Sequence, residues 1–312
     1  MRYYVSQLLN NSDAIADIGI KTIMPISAFD SSKIKLIMNP ISASEYNYQI
    51  LCMNDTCEQV HPLLRDINGS KLMYLISPHH GRSYVMSICN DKYIVSKGNG
   101  LSYTQHGFLN SGEFGDDTWG LLLRKDAIRD YNLGFEISDL GIKTNTMECV
   151  VELDTDIILP NMCRLHPILL QYSVECPYRI CDTAYMTRDT LFDIVKKWPT
   201  SHKFNKPYLI AADILVHNLR TLHDNQILHN AIHPQNYTWA LELLDFELSC
   251  SPQYPYDSDD DRRHAKELFT REIIQTYDII NHIAWSLNEQ IDYSAVDNIF
   301  DEYGFNLSSL KV

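Results

Sequence analysis

LHDNQILHNAIHPQNYTWALELLDFE, from Leu222 to Glu247, joins the end of an apolar helix to a polar loop and then to a second apolar run. The helix starts at Pro207, since proline is well accommodated in a first helical turn. Leu209, Ala212, Leu215, Val216, Leu219 and Leu222 make one apolar face, and the helix ends near His223-Asp224-Asn225. LELLDFEL, from Leu241 to Leu248, reads as a short apolar strand.

The same stretch resembles the protein-kinase pattern LHxxxIxHRDLKPEN followed by a strand ending in DFG. His229 stands at the motif histidine, Pro234 at its proline, Asn236 at its asparagine and Asp245-Phe246 at the start of DFG; Glu247 replaces the glycine. The resemblance implies a site for ATP and Mg2+ in which Asn236 and Asp245 hold the metal. It also departs from the pattern. Ala231 occupies the place of the aspartate that accepts the substrate proton, and Asn230 replaces the arginine before it. His233 is a candidate base because an imidazole titrates near neutrality, although a lone loop histidine is more often structural or merely exposed.

Upstream, the first 96 or so residues alternate short apolar runs (IKLIM, YQILCM, LMYLI, SYVMSI, KYIVSK) with Asn, Ser, Gly and Asp, a strand-rich pattern. SYVMSI and KYIVSK, separated by Cys89-Asn90-Asp91, predict a hairpin ending at Lys97. A polar, glycine-containing stretch runs from Gly98 to Gly120. Leu121, Ile128, Tyr131, Phe135 and Leu140 then recur at helical spacing, with Gly141 placed to end the helix. MECVVEL is a further strand, and Arg262–Trp285 and Tyr293–Tyr303 are helical by period. Sheet with one helix first, then mostly helices, is the order of an α+β, two-lobed protein-kinase-like fold. The expected division is a strand-rich N-terminal extension over 1–74, a kinase-like N-lobe over 75–155 and a helical C-lobe over 156–312.

The middle of the chain narrows the resemblance. YIVSKGNG, AIRDYNLGFEISDLGIKTNT and CRLHPILLQYS follow one another in the order of motifs of the selenoprotein O family, kinase-fold proteins that transfer AMP from ATP to protein hydroxyls. The resemblance covers about residues 75–250. It implies that Lys97 is the phosphate-binding lysine, Asp130 its acidic partner on the helix, and Arg164 the first of two phosphate-binding arginines. Gln171 stands in place of the second arginine, and Gln235 in place of the acidic residue before the metal-binding asparagine. His79-His80-Gly81-Arg82-Ser83 matches either an anion-binding turn carrying Arg82 or an exposed hairpin tip.

A formal net charge of −14 argues against non-specific nucleic-acid binding through a basic face, so any nucleotide site must be local and built from a few cations. The eight cysteines contain no CxxC pair, which argues for reduced thiols over a zinc ribbon. The acidic residues Asp257, Asp259, Asp260 and Asp261 lack the glycine and glutamate of a calcium loop and read as a solvated loop. With no apolar run of membrane-spanning length and no Sec-type start, the chain is expected to be cytoplasmic, or exported without a Sec signal, with no membrane partner. The sequence therefore predicts an ATP- and Mg2+-dependent transferase acting on a protein substrate, or alternatively an inactive pseudokinase that binds nucleotide or a partner protein.

Overall fold

The computed structural model describes residues 2–4, 48–55, 57, 83–98, 122–154, 156–158, 164–255 and 265–307. Within them the predicted hairpin forms: β3 (Ser83–Cys89) and β4 (Lys92–Lys97) pair antiparallel. They are joined by Asn90 and Asp91 at φ 51° and 62°. Two consecutive left-handed residues give a turn whose twist matches that of the strands, and Asn and Asp tolerate that conformation best after glycine. The other runs of this part that are described are β1 (Arg2–Tyr4) and β2 (Tyr48–Met53). IKLIM, LMYLI, the turn carrying Arg82, the stretch after Gly98 and the acidic residues 257–261 lie outside the described residues.

Helix α1 (Arg124–Asp139) follows, closed by Gly141 at φ 82° as its period predicts. Then come β5 (Thr146–Leu153), β6 (Asp156–Ile158), β7 (Arg164–Leu165) and β8 (Ile168–Val174). The main sheet is antiparallel with order β2-β5-β8-β4-β3, and β1, β6 and β7 form a small separate sheet. β8 is buried along its whole length because it lies mid-sheet with side chains covered on both faces. Helix α1 packs on the face of β5 and β8, bringing Gly134 so close to Met147 that an added Cβ would sit 2.5 Å from its methyl carbon.

The C-terminal part is helical: α2 (Arg188–Val195), α3 (Pro207–Asp224), α4 (Ala265–Ser286) and α5 (Tyr293–Glu302). Helix α3 carries the apolar face read from the sequence, burying Leu209, Ala212, Leu215, Val216, Leu219 and Leu222 against α4 and α5. A continuous core runs from Val95, Ile137 and Leu170 through Trp239 and Phe246 to Ile283 and Phe300. A mainly antiparallel sheet with one packed helix, followed by a helical lobe, is the two-lobed kinase-like α+β arrangement that the sequence predicted. Among the described residues no helix is long and apolar enough to cross a membrane.

One expected element is absent. LELLDFEL is not a strand; within it only Leu243 makes β-bridges, to Thr144 and Tyr237. Leu241 and Asp245 are left-handed, at φ 60° and 70°, and each breaks the extended run that its apolar composition suggested.

Candidate functional site

Lys97 ends β4, where the strand's last side chain points off the sheet toward α1. It is 2% exposed, and its Nζ lies 2.7 Å from Asp130 Oδ2, 2.5 Å from Asp245 Oδ1 and 3.4 Å from Glu247 Oε2. Asp130 comes from the inner face of α1. Its Oδ1 accepts from the backbone N–H of Phe246 at 3.0 Å, which ties the helix to the 245–247 segment across the lobes. Burial pushes the Asp130 carboxyl above its ordinary range; the Lys97 ammonium opposes that shift, while Asp245 and Glu247 add to it. A buried carboxylate of this kind is held ionised by its cation, and removing one partner leaves an uncompensated charge.

Asp245 reaches the cluster through a left-handed backbone, a conformation of the sort that concentrates at functional sites because the surrounding structure must hold it. Phe246 beside it is fully buried and packs edge-on against His229, ring centroids 5.5 Å apart. His229 donates from Nε2 to the Leu244 carbonyl at 2.8 Å and accepts at Nδ1 from the Ala231 N–H at 3.3 Å, which fixes a neutral tautomer. Burial lowers its pKa and keeps it neutral. The loop is anchored further by Glu272 of α4, fully buried, whose Oε1 accepts from the Asn230 N–H at 2.6 Å and whose Oε2 meets His223 Nε2 at 3.0 Å.

Among the described residues, Asp130, Asp245 and Glu247 are the one trio of carboxylates with oxygens within 4.8 Å of one another. This donor set fits a hard divalent cation such as magnesium. Asp245 and Glu247, with side chains 18% and 14% exposed, are the more accessible members of the trio, whereas Asp130 is buried with its oxygens on Lys97 and the Phe246 N–H.

Asn236 lies in a short 3-10 turn (Pro234–Asn236), its Nδ2 donating to the Ala231 carbonyl at 3.0 Å. Its Oδ1 faces Arg179 Nη1 at 3.5 Å, so the amide oxygen meant for a metal already lies beside a guanidinium. That arginine also donates to the Gln235 carbonyl at 2.7 Å and to Tyr172 Oη at 3.4 Å. His233 caps the same turn, accepting at Nδ1 from the Gln235 N–H at 3.2 Å. Desolvation first, then His229, lowers its pKa. Arg164 falls in β7, in the small sheet and not in the sheet that carries Lys97. Gln171 is buried on the face of β8 opposite to Leu170, the cross-strand neighbour of Lys97, so it turns away from the site. Arg82 lies outside the described residues.

The structure thus gathers Lys97, Asp130 and Asp245, and it adds Glu247, Arg179 and Glu272, which the sequence reading did not single out. Glu247 was visible only as a missing glycine. Arg179 and Glu272 are distant in sequence from the loop they hold, and no local pattern marks them.

No family model matches the sequence, and no curated protein matches it. Among solved structures, the chain is similar to the kinase domain of a Toxoplasma gondii specific rhoptry antigen, at 9% identity over 69% of this chain and 73% of that one, with a TM-score of 0.36. It is also similar to an Stt7 homolog from Micromonas algae soaked with ATP, at 12% identity over 76% of each chain, with a TM-score of 0.39. The kinase-like reading rests on the chain's own element order and on the residues gathered at Lys97.

Proposed function

We propose that this protein is a kinase-fold transferase that binds a nucleoside triphosphate, ATP in the first instance, with a divalent cation at the Lys97 cluster. The observation that carries the reading is the buried contact of Lys97 with both Asp130 and Asp245, a lysine held by one helix carboxylate beside a second carboxylate on the facing segment. In this reading Lys97 neutralises phosphate charge, Asp130 fixes the ammonium, and Asp245 with Glu247 holds the cation. Phosphoryl and nucleotidyl transfer both depend mainly on such positioning and charge stabilisation. The resemblance to the selenoprotein O family favours AMP transfer to a protein hydroxyl, with phosphoryl transfer as the alternative reaction.

A second reading is favoured by a specific residue: Ala231 offers no carboxylate to accept a hydroxyl proton, as a nucleotide-binding pseudokinase would not need one. His233 is the candidate base if chemistry occurs, and to act it must release Nδ1 from the Gln235 N–H, because a neutral ring that accepts there carries its proton on Nε2. Incubation of the full chain and a mixed protein acceptor with ATP labelled at the α or the γ phosphate separates these readings. Transfer of α label supports AMP transfer and γ label alone supports phosphoryl transfer. Neither label, with magnesium-dependent ATP binding intact, supports the inactive reading.

A further inference from the structure

Arg179 is a buried cation for which the described residues supply no counter-charge. It is 6% exposed, and among those residues no carboxylate lies within ion-pair distance of its guanidinium. Asp182, three residues on, instead accepts from the Arg179 backbone N–H at 3.0 Å. The guanidinium meets neutral acceptors: the Gln235 carbonyl at 2.7 Å, Asn236 Oδ1 at 3.5 Å and Tyr172 Oη at 3.4 Å. Nε and one N–H of Nη2 have no acceptor among the described residues. A charge buried without a partner is costly, so this arrangement calls for an anion from outside the chain.

The surroundings of Arg179 belong to the site. Tyr172 lies across the sheet from Val95, on the face that carries Lys97. The Leu244 N–H donates to the Asn236 carbonyl at 2.9 Å, which sets that turn beside Asp245. Desolvation and His229 dominate the lowered pKa of His233; behind them Asp245 and Arg179 act on the ring with opposite sign, so both charges border it. The guanidinium also governs Asn236. With Nδ2 on the Ala231 carbonyl, Oδ1 is turned to Arg179. Magnesium sits about 2.0–2.1 Å from its ligands, so an ion on that oxygen would stand within about 6 Å of a guanidinium nitrogen. Asp245 and Glu247 carry charge that offsets repulsion of this kind from Lys97, whereas a neutral amide carries none.

We infer that Arg179 takes the place of a second metal ion: its guanidinium binds phosphate oxygens of the nucleotide, one divalent cation sits at Asp245 and Glu247, and Asn236 is not a metal ligand. The inference rests on the nucleotide reading of the Lys97 cluster and adds to it the number of cations and the residue that replaces one. The planar fork of a guanidinium matches phosphate oxygens as a lysine ammonium does not.

Titration of Mn2+ into the full chain with an equal concentration of a non-hydrolysable ATP analogue, the free ion read by electron paramagnetic resonance, counts the cations. Calorimetry of the analogue with the parent, Arg179→Met and Arg179→Lys gives the affinities, and thermal melts show that each variant is folded. One Mn2+ per chain is expected, with affinity about tenfold or more weaker in Arg179→Met and partly regained in Arg179→Lys. Two Mn2+ per chain, or Arg179→Met binding within about twofold of the parent, overturns the inference and leaves the nucleotide reading standing. The cation count uses the parent alone, so it decides the matter even where a variant fails to fold. A parent that binds no analogue overturns both.

Discussion

Lys97 is the residue on which the site turns, because it is the cation that compensates three carboxylates in a nearly closed space. Lys97→Met should abolish magnesium-dependent nucleotide binding and also cost about 3 kcal/mol or more of stability by leaving buried charge unpaired. Denaturant titration should show that penalty shrinking as pH falls through the carboxylate range, where Asp130 and its neighbours take up protons. His229 gives a different pH signature. Its folded-state pKa lies below the ordinary histidine value, so the unfolded chain binds more protons between the two values. Stability present above the ordinary value is therefore lost as pH falls toward the depressed one. His233 contributes with the same sign, whereas Asp130 and Glu242, whose pKa values are raised, contribute with the opposite one. Comparing His229→Asn with the parent isolates the histidine: the variant should lose less stability between about pH 7 and about pH 5. An identical pH slope in both proteins would contradict the buried neutral assignment.

Elements place these residues, and two junctions hold the placement. Gly98 follows Lys97 at φ 95°, and an added Cβ would stand 2.3 Å from the Ile168 carbonyl oxygen of β8. Gly98→Ala should cost about 1 kcal/mol or more and weaken nucleotide binding, because the strand end carrying Lys97 must shift; denaturation midpoints and binding isotherms read the two effects. At the other junction, Glu272→Ala removes the acceptor shared by Asn230 and His223, and should cost about 1–3 kcal/mol in the same assay. How far these elements were legible in the sequence follows from how local their signals are. The hairpin turn at Asn90-Asp91, the helix stop at Gly141 and the proline start of α3 are set by neighbouring residues, and all three were readable. Lys97 with Asp130 was legible through motif order. LELLDFEL misled because its apolar composition satisfies a strand, while the left-handed turns at Leu241 and Asp245 are imposed by tertiary contacts of Glu242 and Asp245. Arg179 reaches Asn236 across a long sequence separation, beyond any periodicity argument.

At the scale of the molecule, an acidic chain with net charge −14 concentrates buried lysine and arginine in the space between a sheet and a helical lobe. That contrast suits a small polyanion accompanied by its own metal ion better than a long nucleic acid. The continuous core through Trp239 and Phe246 ties the lobes together beneath the site, so the Asp130 to Phe246 contact joins two parts that already share packing. Binding to the folded state alone should raise the melting temperature with ATP and magnesium together, and chelation of the magnesium should reverse the rise. The claim that joins all scales is that Asp245, presented beside Lys97, binds the cation that accompanies the nucleotide. Calorimetric titration of ATP into the parent protein and into Asp245→Ala, each with and without magnesium, tests it most directly. The account predicts magnesium-dependent binding in the parent and loss of that dependence in the variant; equal binding with unchanged magnesium dependence in both would contradict it.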